Sequence, residues 1–422
     1  MQRVLLVAAT TGYQVHAFRD AAARMGVELV LATDRCDQIE DPWRDGAIPI
    51  RFHDEDGSVR AIVESVFARS IAAVVAVGDR PALIAALVGR ALTLPVSPPE
   101  AVRIAGNKLM TRIRLRKTDL PCPWFHSLPL DVAQLSLIGD IKFPCVLKPL
   151  TLTGSRGVIR VDNTVDLERA VTRLRRLLRF PDVRTLRDPA NDAFLVEEYI
   201  SGHEVAVEGV MTNGVLQVLA TFDKPDPLEG PFFEETIYVT PASLLEFQER
   251  HVIRQLEVAA RAMGLTNGAI HAELRLNDRG VFVLEIAARP IGGLCARVLR
   301  FDGPMGTALS LEDILLRHAL RQRVQSFGRA KPGAGVMMIP IQQAGLLKCV
   351  DGLEDARAMD GVEDVVITAK HDQYIAPLPE GSSYLGFIFA RADAPADVVA
   401  ALRAANECLR FEIAQVIPVN EE

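Results

Sequence analysis

The sequence predicts a mixed α/β protein: a doubly wound parallel sheet first, an α+β body behind it, and a small α+β unit at the end. Three observations carry this. Through residues 1–98, buried-strand runs alternate with helical patterns, as parallel pairing requires. Pro95, Pro98 and Pro99, and later the stretch Lys331–Gly335, punctuate the chain where boundaries belong. The 422 residues, 49% hydrophobic and 24% charged, suffice for two to four domains of ~100–200 residues and exclude global disorder.

In chain order, Arg3–Ala9 reads as a strand buried on both faces, and Thr10-Thr11-Gly12-Tyr13 turns it into a helix over Val15–Met25 that stops at Gly26. Strands Val27–Ala32 and Ile71–Val77 and helices Val59–Ala68 and Pro81–Ala91 complete the first unit. Its first turn has one glycine instead of G-x-G-x-x-G, so a dehydrogenase-type dinucleotide site is unsupported. A helix over Glu100–Thr118, a short strand Phe143–Pro149, an amphipathic helix Val165–Phe180 and a strand Phe194–Ile200 follow. A hairpin, Gly268–Leu276 with Val281–Ala287, turns at Asn277-Asp278-Arg279-Gly280, and a helix runs near Leu309–Arg321. Strands Gly335–Ile341, Val362–Ala369 and Tyr384–Arg391, with helices Leu353–Met359 and Pro395–Leu409, make the last unit.

The formal charge of −7 argues against a nucleic-acid binder, so the arginines of Val165–Phe180 read as a solvated helix face, and anionic substrates need locally placed cations. The longest apolar runs, such as Ile71–Val77, fall short of the ~20 residues that span a bilayer, and Val4–Ala9 is too short for a signal core. Cys36, Cys122, Cys145, Cys295, Cys349 and Cys408 show neither C-x-x-C nor metal spacing, which points to reduced thiols and a cytoplasmic setting.

The chemistry-bearing residues cluster in the middle of the chain. Lys148 ends an apolar strand; alone, it reads better as a lysine reaching water. The loop Gly154-Ser155-Arg156-Gly157 that follows offers backbone N–H groups for phosphates, or is an ordinary turn; no G-K-[ST] follows, so it is not a P-loop. Glu197 and Glu198, then Gly202 and Glu204, suit adenosine recognition at a strand end, and equally a solvated hairpin. In the hairpin, His271, Glu273 and Arg275 share one face by period two, and Glu285 falls close to opposite Glu273 if a bulge corrects the register. Two facing acids repel unless a cation joins them. Hard oxygen ligands suit Mg²⁺; the competing reading pairs Glu273 with Arg275 or a lysine. Arg289, Gly292 and Gly293 follow at once.

The order of these elements resembles the ATP-grasp superfamily: helix lysine Lys108, strand-end Lys148, glycine loop, Glu-Glu-Tyr-Ile, Gly-x-Glu, then a paired-glutamate hairpin ending in arginine. Within it, Leu284-Glu285-Ile286-Ala287-Ala288-Arg289-Pro290-Ile291-Gly292-Gly293 and the tail segment Gly381–Arg391 are similar to L-amino-acid ligases, which make dipeptides. The resemblance implies a Rossmann-like pre-ATP-grasp domain (1–98), an ATP-grasp domain of two α+β subdomains (99–330, the first to about residue 200), and a small α+β C-terminal domain (331–422). It implies ATP phosphates held by Lys108 and Lys148 under a mobile loop, Thr153–Val158, that includes Gly154, Ser155 and Gly157. Glu197, Glu198 and Ile200 would line the adenine and Glu204 the ribose. Glu273 and Glu285 would bind one or two Mg²⁺ (or Mn²⁺), with Arg289 at the acyl phosphate, Gly292 and Gly293 near the substrate, and His271 beside the metal or facing substrate. Ala287 stands where many of these enzymes carry Asn or Asp, which weakens a second metal site.

The expected activity is ADP-forming ligation of a carboxylate to an amine, an amino acid among them. The expected partners are small molecules, with neither nucleic acid nor membrane, and a homodimer by analogy with the family. No general base stands out beyond His271; acids between Asp223 and Glu235 are alternatives for holding the amine, and Phe232, Phe233 and Tyr238 read equally as pocket walls or as an ordinary surface insertion. The competing functions are a carboxylase of the biotin-carboxylase or purine-biosynthesis type and a nucleotide-binding regulator without turnover.

Overall fold

The computed structural model describes residues 1–10, 12–35, 46–131 and 141–416, so Thr11 of the first turn and Cys36 lie outside the described residues. The first sheet is parallel, in the order Ile48–Pro49, Glu28–Thr33, Arg3–Ala8, Ala73–Val77. Val4 to Ala8 are wholly buried, as expected for a central parallel strand covered on both faces. The helix Val15–Met25 ends at Gly26, whose left-handed backbone lets its N–H reach the last carbonyls.

The helix expected over Glu100–Thr118 is two helices, Pro99–Ala105 and Lys108–Leu115. Asn107 adopts an extended backbone and its side chain accepts from the Met110 N–H, so the chain restarts and Lys108 becomes the first residue of a new helix.

A second, antiparallel sheet has the order Phe125–Pro129, Ala193–Glu198, Cys145–Pro149, Ile159–Val161. Helix Thr164–Leu177 covers it, burying Leu167, Ala170, Val171, Leu174 and Leu177. Its arginines serve local contacts: Arg173 pairs with Glu380 at 2.6 Å, and Arg175 donates to the Leu130 carbonyl.

The largest sheet has eight strands: Gly280–Ala287, Gly268–Asn277, His203–Thr212, Val215–Asp223, Ile237–Thr240, Gly333–Ile339, Gly386–Ala392, Val362–Ile367. The last three belong to the region expected as a separate small unit; Gly333–Ile339 hydrogen-bonds directly onto Ile237–Thr240, and Gly386–Ala392 and Val362–Ile367 follow it in turn. That region adds a three-stranded sheet, Tyr374–Ile375, Gly345–Asp351, Arg410–Ala414. Helix Glu246–Met263 packs Val252, Leu256, Ala259, Ala260 and Met263 on one end of the large sheet, and Pro395–Cys408 packs Val398, Leu402 and Ala405 on the other. One core runs from the first sheet into the large one, joining Leu6 and Phe18 to Phe222, Ile314 and Phe387. Among the described residues, no helix is long and apolar enough to cross a membrane.

Candidate active site

The three sheets meet around a cavity of 460 Å³. Lys108, Lys148, Thr153, Gly154, Ser155, Glu197, Glu198, Ile200, Glu204, His271, Glu273, Glu285, Arg289, Gly292 and Gly293 line it, and Gly157 does not. Gly157, at φ +74°, instead packs behind the loop: a Cβ there would stand 2.6 Å from Pro149 Cγ and 2.8 Å from Leu177 Cδ2. Its N–H donates to the Pro379 carbonyl at 2.9 Å, and Arg156 donates to the Glu380 carbonyl at 2.8 Å. The tail segment thus latches the glycine loop, and Ser382 and Ser383 join the cavity wall beside Gly154.

The two lysines are fixed differently. Lys108 Nζ donates to the Leu152 carbonyl at 2.8 Å and stands 3.5 Å from Glu285 Oε2. Lys148 Nζ is 2.6 Å from Glu197 Oε1, and Glu197 also takes Arg112, at 2.6 Å on Oε2. Arg112, 2% exposed, donates further to the carbonyls of Val283 and Leu284, so it ties its helix to the hairpin strand that carries Glu285. Burial alone would raise the Glu197 pKa, but Arg112 and Lys148 outweigh it and hold it at about 2. Burial, with Arg112 and Lys108 nearby, lowers that of Lys148. Glu197 therefore positions Lys148 from within a closed ion cluster, where an adenine contact had been expected of it. Apolar walls stand close by: Val146, Val158, Leu228 and Phe233 gather with Tyr199. Phe232, expected beside a substrate, packs against the core of the small sheet under Arg173.

In the hairpin Glu273 pairs with Glu285, and a bulge falls between Glu273 and Leu274, so Val283 and not Leu284 meets Leu274. Glu273 Oε1 receives the Tyr238 hydroxyl at 3.2 Å and lies 3.0 Å from Lys224 Nζ. Lys224 also meets Glu204 and Glu235, each at 2.7 Å. Glu204, expected at a ribose, has its oxygens engaged by Lys224 and by Arg275, the latter at 2.7 Å. His271 Nδ1 meets the wholly buried Glu208 at 3.1 Å, and its Nε2 is 3.9 Å from Glu273. Burial disfavours its charge, but the hydrogen bonds to Glu208 and Glu273 prevail and raise its pKa to about 9. These contacts favour the protonated imidazole, the form that donates rather than accepts a proton. Among the other acids of that loop, Asp226 is turned to Thr236 and Arg403, away from the amine-holding part expected of the segment, while Glu235 lines the cavity.

At the far end, Arg289 Nε donates to Asp79 Oδ2 at 2.9 Å, and burial is outweighed by Asp79 and Glu285, which raise its pKa. Asp79 opens helix Asp79–Ala91 of the first sheet, so that unit orients the arginine. Gln14 donates to the Ile291 carbonyl at 2.5 Å, and the Ile291 N–H donates to Glu208. Tyr13, Cys295, Met338, Tyr384 and Phe387 complete this end around Gly292 and Gly293. Arg112, Asp79 and Glu208 were invisible in the sequence, because no local pattern links them to their partners, and Lys224 fulfils the competing reading that paired Glu273 with a lysine.

The match to known families agrees with this layout: residues 141–298 match the ATP-grasp domain. Residues 337–414 match the L-amino acid ligase C-terminal domain 2. The chain is 27% identical over 292 residues to carnosine synthase 1 of Homo sapiens, across 66% of this chain and 34% of that one. It is 29% identical over 171 residues to alanine–anticapsin ligase of Bacillus subtilis (strain 168), across 37% and 35%. The chain thus spans about a third of the length of these two relatives. The crystal structure of L-amino acid ligase from Bacillus licheniformis superposes with a TM-score of 0.82 at 24% identity, covering 98% and 99% of the two chains, which is a likeness of fold.

Proposed function

We propose that this protein is an ATP-dependent carboxylate–amine ligase that forms an amide or peptide bond through an acyl phosphate, releases ADP and phosphate, and uses an amino acid as one substrate. The observation that carries the reading is convergence: Lys108, Lys148, the glycine loop, Glu273, Glu285 and Arg289 all face one cavity. Lys108 and Lys148 take the phosphates under Thr153, Gly154 and Ser155, and the apolar walls by Glu198 and Ile200 take the adenine. Glu273 and Glu285 are hard oxygen donors on facing strands and fit Mg²⁺, with Mn²⁺ as a substitute; such an ion neutralises the transferring phosphoryl group.

Arg289, held rigid by Asp79, faces the acyl phosphate and the oxyanion formed when the amine attacks. Gly292 and Gly293 let the substrate backbone approach, and the end walled by Tyr384, Phe387 and Met338 suits an apolar amino-acid side chain. A cytoplasmic location belongs to the same reading. Phosphate release measured over pairs of amino acids and small carboxylates tests it. Turnover is expected only when a carboxylate and an amine are both present, with ADP as the nucleotide product. AMP as product, or bicarbonate-dependent release without an amine, rejects it.

A further inference from the structure

The acid side of the cavity already contains a cation. Lys224, the first residue beyond strand Val215–Asp223, is 3% exposed and carries its ammonium 2.7, 2.7 and 3.0 Å from Glu204, Glu235 and Glu273. The lysine is pinned at both ends. Its backbone N–H donates to the Glu204 carbonyl, and its ammonium stands 4.8 Å from the centre of the Tyr238 ring. Taken without the lysine, the three carboxylates would form a convincing metal site, because one oxygen from each lies within 4.8 Å of the others. The ammonium fills that space at ordinary hydrogen-bond distances, and a divalent ion there would need the same oxygens at ~2.0–2.1 Å.

Ligand supply points the same way. Arg275 already holds the second oxygen of Glu204, and Ala287, the residue opposite His271 in the hairpin, offers no donor atom. On the strand side only Glu273 and Glu285 face one another.

We propose that Lys224 is a built-in cation: its ammonium stands where a divalent ion would sit among Glu204, Glu235 and Glu273, and only Glu273 of the three remains available to metal, together with Glu285. The inference rests on the ligase reading, since it concerns the metal of that same site. Its consequence is a fixed positive charge beside the reacting groups that no chelator removes.

Mn²⁺ titration of the full-length protein, followed by the paramagnetic resonance of the free ion, tests it, with and without a non-hydrolysable ATP analogue. Glu235→Gln is expected to bind as many ions as the wild type, with affinity within about twofold, whereas Glu285→Gln weakens binding about tenfold or more. Lys224→Met is expected to bind one ion more per chain than the wild type. Loss of an ion or a tenfold weakening in Glu235→Gln, or no added ion in folded Lys224→Met, overturns the proposal. If circular dichroism shows Lys224→Met to be unfolded, the Glu235→Gln titration decides alone. Failure of the analogue to bind counts against the ligase reading, while the ion counts still judge Lys224.

Discussion

Glu197 has both carboxylate oxygens engaged within the protein. It is buried between Arg112 and Lys148, so removing it leaves two charged groups without their counter-ion. Glu197→Gln is expected to lower stability at pH 7 by about 3–5 kcal/mol in urea unfolding. The pair also gives an acid limb to the stability profile. With a folded pKa of about 2 against an ordinary 4.5, the carboxylate stabilises the fold fully above pH 4.5. That contribution, about 3 kcal/mol at 1.36 kcal/mol per pH unit, is lost as pH falls from 4.5 towards 2. Unfolding free energies measured at pH 6 and pH 3 check the slope, and Glu197→Gln should flatten it.

At the scale of elements, the glycine loop depends on one position for its shape. Gly157→Ala forces a Cβ into Pro149 and Leu177 at a positive φ, and a loss of about 1–3 kcal/mol in denaturant unfolding is expected. The hairpin was legible in the sequence, bulge included, because its pattern is local: alternating charged positions around a turn. Strands His203–Thr212 and Val215–Asp223 were not read, although Asn213-Gly214, both at positive φ, is a strong hairpin signal. Almost uninterrupted burial had erased the alternation that marks a strand. Helix Glu246–Met263 likewise carries a readable apolar spacing at Val252, Leu256, Ala259 and Met263. Lys224 and Asp79 belong to another category: they lie 49 and 210 residues from Glu273 and Arg289, and only the fold brings them there.

For the whole molecule, the eight-stranded sheet removes the freedom of the last region to act as an appendage. Strand Ile237–Thr240 is entirely buried, and Gly333–Ile339 covers its edge. A chain ending at residue 332 would expose that edge and its apolar face, so it is expected to aggregate in size-exclusion chromatography where the full chain does not. The latch of Pro379 and Glu380 on the glycine loop has a further consequence for biosynthesis. A ribosome makes both lysines and the paired glutamates well before Tyr384 and Phe387. Until then the emerging polypeptide has Lys108 and Lys148 but an open wall and an untethered loop. The order of translation itself leaves the cavity unfinished until residues 379–387 have been made.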